Sequence, residues 1–483
     1  MVLIPQSVAY ASLAGMPAQI GLFASALPLI VFSLFASSPY LQSGPTAVTS
    51  LLTFAALEGT GLRTETAEYV KAGALLALLV AGIRLLLGIL KLGRLAFAVA
   101  EPVMIGFTSG AAIIIFSTQL HKVVGVVPPD GKPLSRAWWT FRHIGDWQIL
   151  AILIAVGTLA CMIGGKKISP LFPGVLVAVI AGLAVSLIVG LDGQWDQAIA
   201  GDPKEIPGDF PSLGLDLPWG SVGTVIVGAI IIAVVGFAEP SSIARTYANE
   251  EQEAWDASRE FAASGAANFM AALSSAYPVG GSFSRSSVNK LAGAKTRAAG
   301  GVTGLVVLAF LPLAPLLNDL PAAVLGAIVI GAVLSLMKPV RLYRMWVRSK
   351  SQALISYLTL AATVFFAPEV YYGIAIGFGL TVLHHFLKPV RVTVSDDGQN
   401  LTAEGMVWLA SGKAFNVELG TALQQTAGNV HLDLSQIPAV DAGMAESIAN
   451  AIVALAAEGR SLTVANAPAG GDELIHSMIQ LRS

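Results

Sequence analysis

The chain has 483 residues, of which 55% are hydrophobic and only 12% are charged, and its mean hydropathy is +0.72. Soluble domains carry roughly 25% charged residues, and disordered chains combine low hydrophobicity with high net charge, so the composition excludes both a water-soluble enzyme and a disordered chain. The formal net charge of −2 argues against nucleic acid as a partner, because nucleic-acid binding needs a basic face.

Charge divides the chain into two parts. Residues 391–483 carry 10 acidic and 4 basic side chains, whereas the first 390 residues carry 20 acidic and 24 basic ones. We therefore predict a transmembrane domain over residues 1–389 and a small polar domain over residues 390–483.

The first part contains about fourteen candidate membrane segments, since a spanning helix needs about 20 mostly apolar residues. Nine are continuous apolar runs: Ala72–Leu90, Gly106–Leu120, Ile149–Ile163, Leu171–Val189, Val222–Ala238, Val302–Leu317, Ala322–Met337, Leu354–Phe366 and Tyr372–Leu387. Three are interrupted by Pro or Gly, and two are rich in small residues. These five are Val2–Leu22, Gly21–Ser37, Pro45–Leu57, Phe261–Ala276 and Ser282–Gly293.

Basic residues orient the segments, because cytoplasmic loops are rich in Lys and Arg. The basic clusters follow even-numbered segments and are Lys91/Arg94, Lys166/Lys167, Lys290/Lys295/Arg297, Lys338/Arg341/Arg344/Arg348/Lys350 and Lys388/Arg391. The loop Leu191–Gly220 follows an odd-numbered segment and holds six acidic residues and one lysine, Lys204. We therefore predict that both chain ends lie inside, with the basic loop Val123–Trp147 as an exception.

Two of the segments begin with non-helical sequence. Ser38–Pro45, the first break, precedes a short helix predicted from Thr46, and Tyr277–Gly281, the second break, precedes a short helix predicted from Ser282. Each break occupies the third position in a set of seven segments. Interrupted segments at corresponding positions of two halves indicate inverted repeats with a binding site near the middle of the membrane. Two helix N-termini in the membrane would offer free N–H groups and positive dipole ends to an anion. The alternative is a pair of Pro-kinked ordinary helices.

Glu239, Arg285 and Arg84 lie within predicted segments or at the end of one, where charge usually marks function. An ionised carboxylate at Glu239, just before Pro240, is energetically costly in a membrane segment unless it pairs, binds a cation or takes up a proton. The alternative interpretation is a carboxylate at a helix end. Arg285 lies in the first turn of the second short helix, where a cation is favourable only beside an anion or Glu239; the alternative is a snorkelling side chain behind an N-cap serine. Arg84 has three interpretations: snorkelling, pairing with another helix, or transport.

The second part has the alternation of a small α/β domain. Strands are predicted over Val390–Val394, Asn429–Leu434 and Ser461–Ala465, and helices over Asp441–Ala457 and Asp472–Leu481. The hydrolase, nucleotide-binding and metal-ligand motifs are absent from the sequence, so we predict neither a metal nor a cofactor.

Several motifs resemble the sulfate permease (SulP) family, solute carrier family 26. They are VLIPQSVAYASLAGMPAQIGLFAS from Val2, SGPTAVTS from Ser43, EPVMIGFTSGAAIIIF from Glu101 and PVGGSFSRSSVNKLAGAKT from Pro278. Residues 391–483, with Asp433-Leu434-Ser435, resemble the STAS domain of that family. The resemblance covers essentially the whole chain.

The resemblance implies a polytopic α-helical membrane protein with fourteen segments in two inverted seven-span repeats, about 1–190 and 221–388. Spans 1–4 and 8–11 would form a core domain, the others a gate domain, and residues 390–483 a small cytoplasmic α/β STAS domain. The family further implies an elevator-like core movement, a homodimer and a location in the inner (plasma) membrane.

The resemblance also implies the site residues. The residues that match the family's anion-binding positions are Gln6, Tyr10, Thr46, Ala47, Ser284 and Arg285. Glu239 matches a position that binds the cotransported proton in proton-coupled members, and a glutamate there favours a proton as the coupling ion. The expected partners are a small inorganic or organic anion, a proton and the lipid bilayer.

Two departures from the family pattern carry expectations of their own. Only three residues precede Ile4, so we expect the sequence to lack the start of the first span. The regulatory Asp-Ser-Ser-Gly turn of the STAS family reads Asp441-Ala442-Gly443-Met444 here. Because this turn has no hydroxyl at the phosphoacceptor position, we expect a structural or assembly role for the domain.

The predicted function is secondary active transport of a small anion, such as sulfate, bicarbonate or a dicarboxylate like fumarate, by proton-coupled symport. One alternative is an uncoupled anion exchanger or channel on the same fold. A second is a nucleobase permease of the related fold, against which the STAS-like part argues. A third is a membrane receptor with the STAS-like part as its output module.

Overall fold

The computed structural model describes residues 3–93, 100–169, 171–189, 206–251, 255–334, 336–387, 391–395, 398–404, 412–426, 428–437, 440, 442–468 and 471–480. The predictions that concern Arg94, Lys204, Lys388, Asp441 and the loop up to residue 205 lie outside the described residues.

The helices follow the order of the predicted segments. Before residue 220 they are α1 (Leu3–Leu13), α2 (Ala18–Ser25), α3 (Leu27–Phe35), α4 (Ala47–Glu58), α5 (Ala67–Ile89), α6 (Glu101–Val124), α7 (Pro133–Arg142), α8 (Ile149–Ile168) and α9 (Gly174–Val189). From there to residue 387 they are α10 (Val222–Glu250), α11 (Ala257–Leu273), α12 (Phe283–Leu291), α13 (Ala298–Phe310), α14 (Ala322–Val333), α15 (Pro339–Arg348), α16 (Lys350–Phe365) and α17 (Tyr371–Leu387). Two strands of two residues interrupt them, β1 (Ser43–Gly44) and β2 (Gly280–Gly281).

Apolar helices of membrane-spanning length are present, as the composition predicts. Among the described residues, five are long and apolar enough to cross a membrane: Ala18–Phe35, Ala67–Ile89, Glu101–Val124, Trp219–Ala248 and Ala298–Leu317. Shorter apolar helices accompany them, including the short helix α4 after the first break.

The helices pack in two groups. In one group, α11 packs against α3 and α5, α13 packs against α3, and α10 packs against α4 and α5. In the other, α6 packs against α14 and α16, α14 packs against α8, and α17 packs against α16. The contact of α1 with α14 joins the two groups.

The predicted C-terminal end of the first segment, Val2–Leu22, is wrong. Helix α1 stops at Leu13, and the chain turns through Gly15, whose φ of +71° is one that residues with a side chain rarely adopt. Helix α2 then begins after Pro17, and α2 and α3 together form the second segment.

Helix α10 is longer than the predicted Val222–Ala238, because it continues through Pro240 to Glu250. Proline has no N–H, so the Gly236 carbonyl loses its usual partner one turn earlier. Glu239 therefore lies inside a helix, and its interpretation as a helix-end carboxylate is wrong.

Two helices lie in stretches that were predicted as loops. Helix α7 is in the basic loop Val123–Trp147, and α15 contains most of the densest basic cluster. On α15, Leu342 and Met345 are buried, whereas Val340 and Tyr343 are exposed. These short amphipathic helices lack the 20 apolar residues of a span, so a search for spans does not find them.

The C-terminal part is an α/β unit with its own hydrophobic core. Its elements are β3 (Arg391–Val394), β4 (Asn400–Glu404), α18 (Gly412–Gln424), β5 (Val430–Gln436), α19 (Ala442–Ala457), β6 (Leu462–Ala465) and α20 (Gly471–Gln480). The sheet order is β3-β4-β5-β6, and only the β3–β4 pair is antiparallel. Strand β4 and helix α18 were not predicted.

Asp433 in this unit is fixed by hydrogen bonds. Its carboxylate accepts from Asn466 Nδ2 at 2.9 Å, from the Ser435 N–H at 2.9 Å and from the Ser435 hydroxyl at 2.9 Å. The bond from Asn466 and then those from Ser435 hold the pKa of Asp433 below its ordinary value, because they stabilise the ionised form.

The close contact of α17 with α16 gives a first prediction. A Cβ at Gly373 would lie 2.7 Å from the Thr363 backbone nitrogen, whereas a Cβ at Gly379 on the same helix would meet nothing within 4 Å. We expect Gly373→Ala to cost about 1–3 kcal/mol through overpacking and to lower the thermal unfolding midpoint in detergent. Gly379→Ala is the matched control, and equal midpoints for the two variants would contradict the packing.

Candidate functional site

The two breaks pair with each other through their main chains. Strands β1 and β2 are antiparallel, with Ser43 opposite Gly281 and Gly44 opposite Gly280. The Ser282 N–H donates to the Gln42 carbonyl at 3.1 Å, which extends the pairing to the start of α12. The breaks are therefore interruptions with their own hydrogen bonds, and the interpretation as Pro-kinked continuous helices is wrong.

Side chains of the second short helix strengthen this pairing. The Ser286 hydroxyl accepts from the Gln42 N–H at 3.0 Å, and Arg285 Nη1 donates to the Pro45 carbonyl at 2.8 Å. Both bonds join α12 to the first break, so the start of one short helix is held against the start of the other.

The first short helix, α4, begins with a capping box. The Thr46 hydroxyl accepts from the Thr49 N–H at 3.2 Å, and the Thr49 hydroxyl accepts from the Thr46 N–H at 3.2 Å. Such a cap satisfies two of the free donors at a helix start and leaves the other first-turn N–H groups available. Gly44, just before it, has a φ of +145°, which is strained for any residue with a Cβ.

The second short helix, α12, begins at Ser282 without a side-chain cap. The Phe283 N–H in its first turn lies close enough to the Glu239 carboxylate on α10 to interact with it electrostatically. Glu239 is thus the group that meets the positive end of this helix, as the electrostatics of a helix start favour.

The second break lies directly on the part of α10 that carries Glu239. A Cβ at Gly281 would lie 2.9 Å from Pro240 Cβ, and a Cβ at Gly280 would lie 3.0 Å from Thr49 Cγ2 and 3.5 Å from the Gly236 carbonyl oxygen. Only residues without a side chain permit this approach. The glycines therefore bring the second break, α4 and α10 together.

A small pocket opens where these elements meet. It has room for about one water molecule. Its walls come from α4, β2, α10 and α6, and include Thr46, Thr49, Gly281, Glu239, Met104 and Thr108. Because α6 belongs to the other packing group, the pocket lies between the two groups of helices.

Arg285 is buried beside the first break, with 8% of its surface exposed. Its Nη1 is bonded to Pro45, but Nε and Nη2 are buried and have no hydrogen-bond partner among the described residues. A Cβ at Gly44 would lie 3.4 Å from Nη2, so the glycine leaves this donor uncovered. Buried unpaired donors are rare, and here two of them belong to one cation.

The remaining predicted residues lie in different places. Gln6 and Tyr10 are buried on α1, and Gln6 Oε1 has no hydrogen-bond partner among the described residues. The Tyr10 hydroxyl is close enough to Arg285 and Glu239 to interact electrostatically with both. Ala47 is buried at the first position of α4.

Ser284 is the predicted residue that lies apart from this cluster. It is on an exposed side of α12, and its hydroxyl is 3.3 Å from the Ser282 hydroxyl. The structure thus brings Tyr10, Arg285 and Glu239 together, places Thr46 and Glu239 in one pocket, and leaves Ser284 at the edge.

Some polar residues around the breaks were missed by the sequence analysis. Tyr277 is fully buried, with its hydroxyl 3.4 Å from the Ser50 hydroxyl. Glu260 is also fully buried, and its Oε2 accepts from the N–H groups of Ser37 and Ser38. Glu260 lies near the start of a weakly apolar helix, and a charged residue in such a segment is the signal that could have found it.

A model of the sulfate permease family matches residues 1–359. The chain belongs to the sulfate permease family.

Curated relatives agree with this assignment. A probable sulfate transporter of Mycobacterium tuberculosis is 31% identical over 383 residues, which cover 79% of this chain and 67% of the relative. The chloroplastic sulfate transporter 4.1 of Arabidopsis thaliana is 31% identical over 405 residues, covering 80% of this chain and 57% of the relative. A sodium-independent sulfate anion transporter of Bos taurus is 28% identical over 480 residues, covering 91% and 77%.

Solved structures share the fold of this sulfate permease family member. The murine solute carrier 26 family member A9 anion transporter, in its inward-facing state, superposes with a TM-score of 0.70 at 21% identity, covering 98% of this chain and 85% of that chain. The transmembrane domain of the cyanobacterial bicarbonate transporter BicA superposes with a TM-score of 0.64 at 21% identity, covering 78% of this chain and 94% of that chain. The protein is therefore a membrane anion transporter of this family and not an enzyme.

The capping box of α4 gives the second prediction. We expect Thr46→Ala to remove the cap at a cost of about 1 kcal/mol and to weaken anion uptake, because the start of α4 loses its order. Thermal midpoints and uptake rates of the purified transporter measure the two effects. Thr46→Ser keeps the hydroxyl and is the matched control, so a loss of equal size in both variants would exclude the cap as the cause.

Proposed function

We propose that this sulfate permease family member is a secondary active transporter that carries a small oxyanion inward together with protons. The observation that carries the proposal is the pairing of the two breaks, which holds the starts of α4 and α12 face to face. Arg285, with two unpaired donors, lies beside that pairing, and Glu239 is on the part of α10 against which the second break packs.

The paired breaks select for negative charge. Helix N-termini carry partial positive charge and free N–H groups, and a guanidinium supplies charged donors in a planar fork. In a site shielded from water these interactions are stronger than in bulk solvent. The site is thus suited to a small oxyanion, while the identity of that anion depends on the size of the pocket and on its hydroxyl groups.

Glu239 supplies the proposed coupling to protons. An ionised carboxylate beside a bound anion repels it, and moving both charges through the membrane is costly. A protonated Glu239 removes the repulsion and leaves Arg285 as the partner of the anion. Anion loading and proton uptake would then favour each other, which is the requirement for symport.

The two groups of helices fit the moving parts of an elevator. We assign α1–α5 and α10–α13 to the core domain and α6–α9 and α14–α17 to the gate domain, in two inverted seven-span repeats. The pocket lies at the contact of the two groups, where a movement of the core would open it to either side. The separate hydrophobic core of residues 392–475 supports the assignment of residues 390–483 to a cytoplasmic STAS-like domain.

Sulfate, bicarbonate and a dicarboxylate such as fumarate are the proposed substrates. Sulfate has support from the names of the curated relatives, and bicarbonate from the solved cyanobacterial transporter. We place the protein in the inner membrane, as a homodimer, with both chain ends inside. An uncoupled exchanger or channel is the principal alternative, and a nucleobase permease is the second.

The third prediction tests the coupling. Uptake of radiolabelled sulfate, bicarbonate, fumarate and uracil into proteoliposomes is measured with an acidic and with a neutral outside pH. We expect uptake of an anion to rise at acidic pH, and Glu239→Gln to remove that rise because the side chain no longer takes up a proton. Glu250→Gln, an exposed carboxylate on the same helix, is the matched control.

Each other outcome of this assay contradicts part of the proposal. A pH-dependent rise that persists in Glu239→Gln would remove Glu239 from the coupling. Anion uptake without any pH dependence in the unchanged protein would favour the uncoupled exchanger, and uptake of uracil alone would favour the nucleobase permease.

The fourth prediction concerns Arg285. Hydrogen bonds to a charged group contribute about 1.5–3 kcal/mol, so we expect Arg285→Ala to raise the KM for the transported anion about 10- to 100-fold. Arg297, which is exposed and donates to the Ala36 carbonyl at 2.9 Å, provides the control variant Arg297→Ala. An unchanged KM in Arg285→Ala would show that Arg285 does not contact the anion.

A further inference from the structure

Arg84 is a fully buried cation in the C-terminal third of α5. Its guanidinium donates to the carbonyls of Ile232 at 2.8 Å, Ala233 at 3.2 Å and Val279 at 3.0 Å. A fourth bond, of 2.8 Å, goes to the Ser264 hydroxyl on α11. The snorkelling interpretation of Arg84 is therefore wrong.

These partners connect two parts of the site. Ile232 and Ala233 lie on α10, about two turns before Glu239, and Val279 lies in the second break, directly before β2. One guanidinium thus bridges the helix that carries Glu239 and the backbone that leads into Arg285. Gly236 also belongs to this contact, because a Cβ there would lie 3.1 Å from Arg84 Nη2.

A second side chain, Asn268 on α11, also binds the Val279 peptide. Asn268 Nδ2 donates to the Val279 carbonyl at 3.2 Å, and Asn268 Oδ1 accepts from the Val279 N–H at 3.0 Å. The hydrogen bonds of Asn268 among the described residues go to Ser264 and Val279 and not to α10, so of these two side chains Arg84 alone is hydrogen-bonded to both the second break and α10.

The hydrogen-bond partners of Arg84 are unusual for a buried arginine. The ion pairs within the described part of the chain do not include Arg84. An unneutralised cation in a membrane segment is costly and generally has a function. Carbonyl partners on two elements suit a guanidinium, whose donors point in fixed directions, and do not suit a single ammonium.

We propose that Arg84 is a positioning residue of the anion site, which fixes the spacing between Glu239 on α10 and the second break. The inference rests on the proposed function, since it assumes that Glu239 couples protons and that the second break contributes to anion binding. If the bridge is removed, the second break and α10 separate, and anion affinity and proton dependence change together.

Four variants distinguish this role from a general loss of stability. Arg84→Lys keeps the positive charge but loses the planar set of guanidinium donors, and Arg84→Gln loses both. Asn268→Ala removes only the hydrogen bonds from α11 to the second break. Ser264→Ala removes the one Arg84 partner that lies outside the second break and α10. Each is purified by size exclusion, and the uptake of radiolabelled sulfate per folded transporter is measured against concentration and outside pH. Radiolabelled fumarate replaces sulfate if the unchanged protein does not take up sulfate.

We expect Arg84→Lys and Arg84→Gln to raise the KM about tenfold or more, which corresponds to about 1.4 kcal/mol, and to shift the midpoint of the pH dependence. Asn268→Ala should raise the KM with the pH midpoint unchanged, and Ser264→Ala should change neither. If the Arg84 variants do not fold, the test rests on the KM values of Asn268→Ala and Ser264→Ala. Equal KM values in these two variants would overturn the inference.

The remaining outcomes separate this inference from the proposed function. Arg84→Lys with an unchanged KM and pH midpoint would overturn the role of Arg84. A lower yield of folded protein with unchanged kinetics per folded molecule would also overturn it, because the residue would then act on stability alone. If the unchanged protein shows no pH dependence, the proton coupling of the proposed function fails instead.

Discussion

The need to satisfy backbone hydrogen bonds away from water governs this structure. A helix that begins in the middle of a membrane leaves peptide groups on both sides of its start without partners, and each such group costs several kcal/mol in hydrocarbon. Here each break uses the other as its partner: Ser43 and Gly44 pair with Gly281 and Gly280, and Ser282 donates to Gln42. The positions of α4, α12 and Glu239 all follow from this pairing.

Much of this site could be predicted from local sequence. Clusters of Pro and Gly identify both breaks, and the isolated charges of Glu239 and Arg285 identify the groups beside them, because each signal lies within a few residues. The pairing itself could not be predicted, since two-residue strands far apart in the chain have no pattern of their own. The same holds for Arg84, because three of its four hydrogen-bond partners are main-chain carbonyls, which carry no sequence signal.

The errors at helix ends have equally specific causes. Pro240 normally suggests a helix end, but α10 continues through it, and the second break packs on this turn. Helix α1 ends early because Gly15 adopts a positive φ inside an otherwise apolar run. In the C-terminal unit, strand β4 was missed because it is short and polar on its exposed side, and its pairing with β3 and β5 forms it.

The two-residue ladder between the breaks is built from main-chain atoms only, and this has a consequence for divergence among related transporters. Substitution of a side chain cannot remove these hydrogen bonds, provided that residues 44, 280 and 281 stay small enough for the backbones to meet. The frame of the site can therefore persist while the groups that line it change. A scaffold of this kind can be retuned from one anion to another by single substitutions around a fixed backbone.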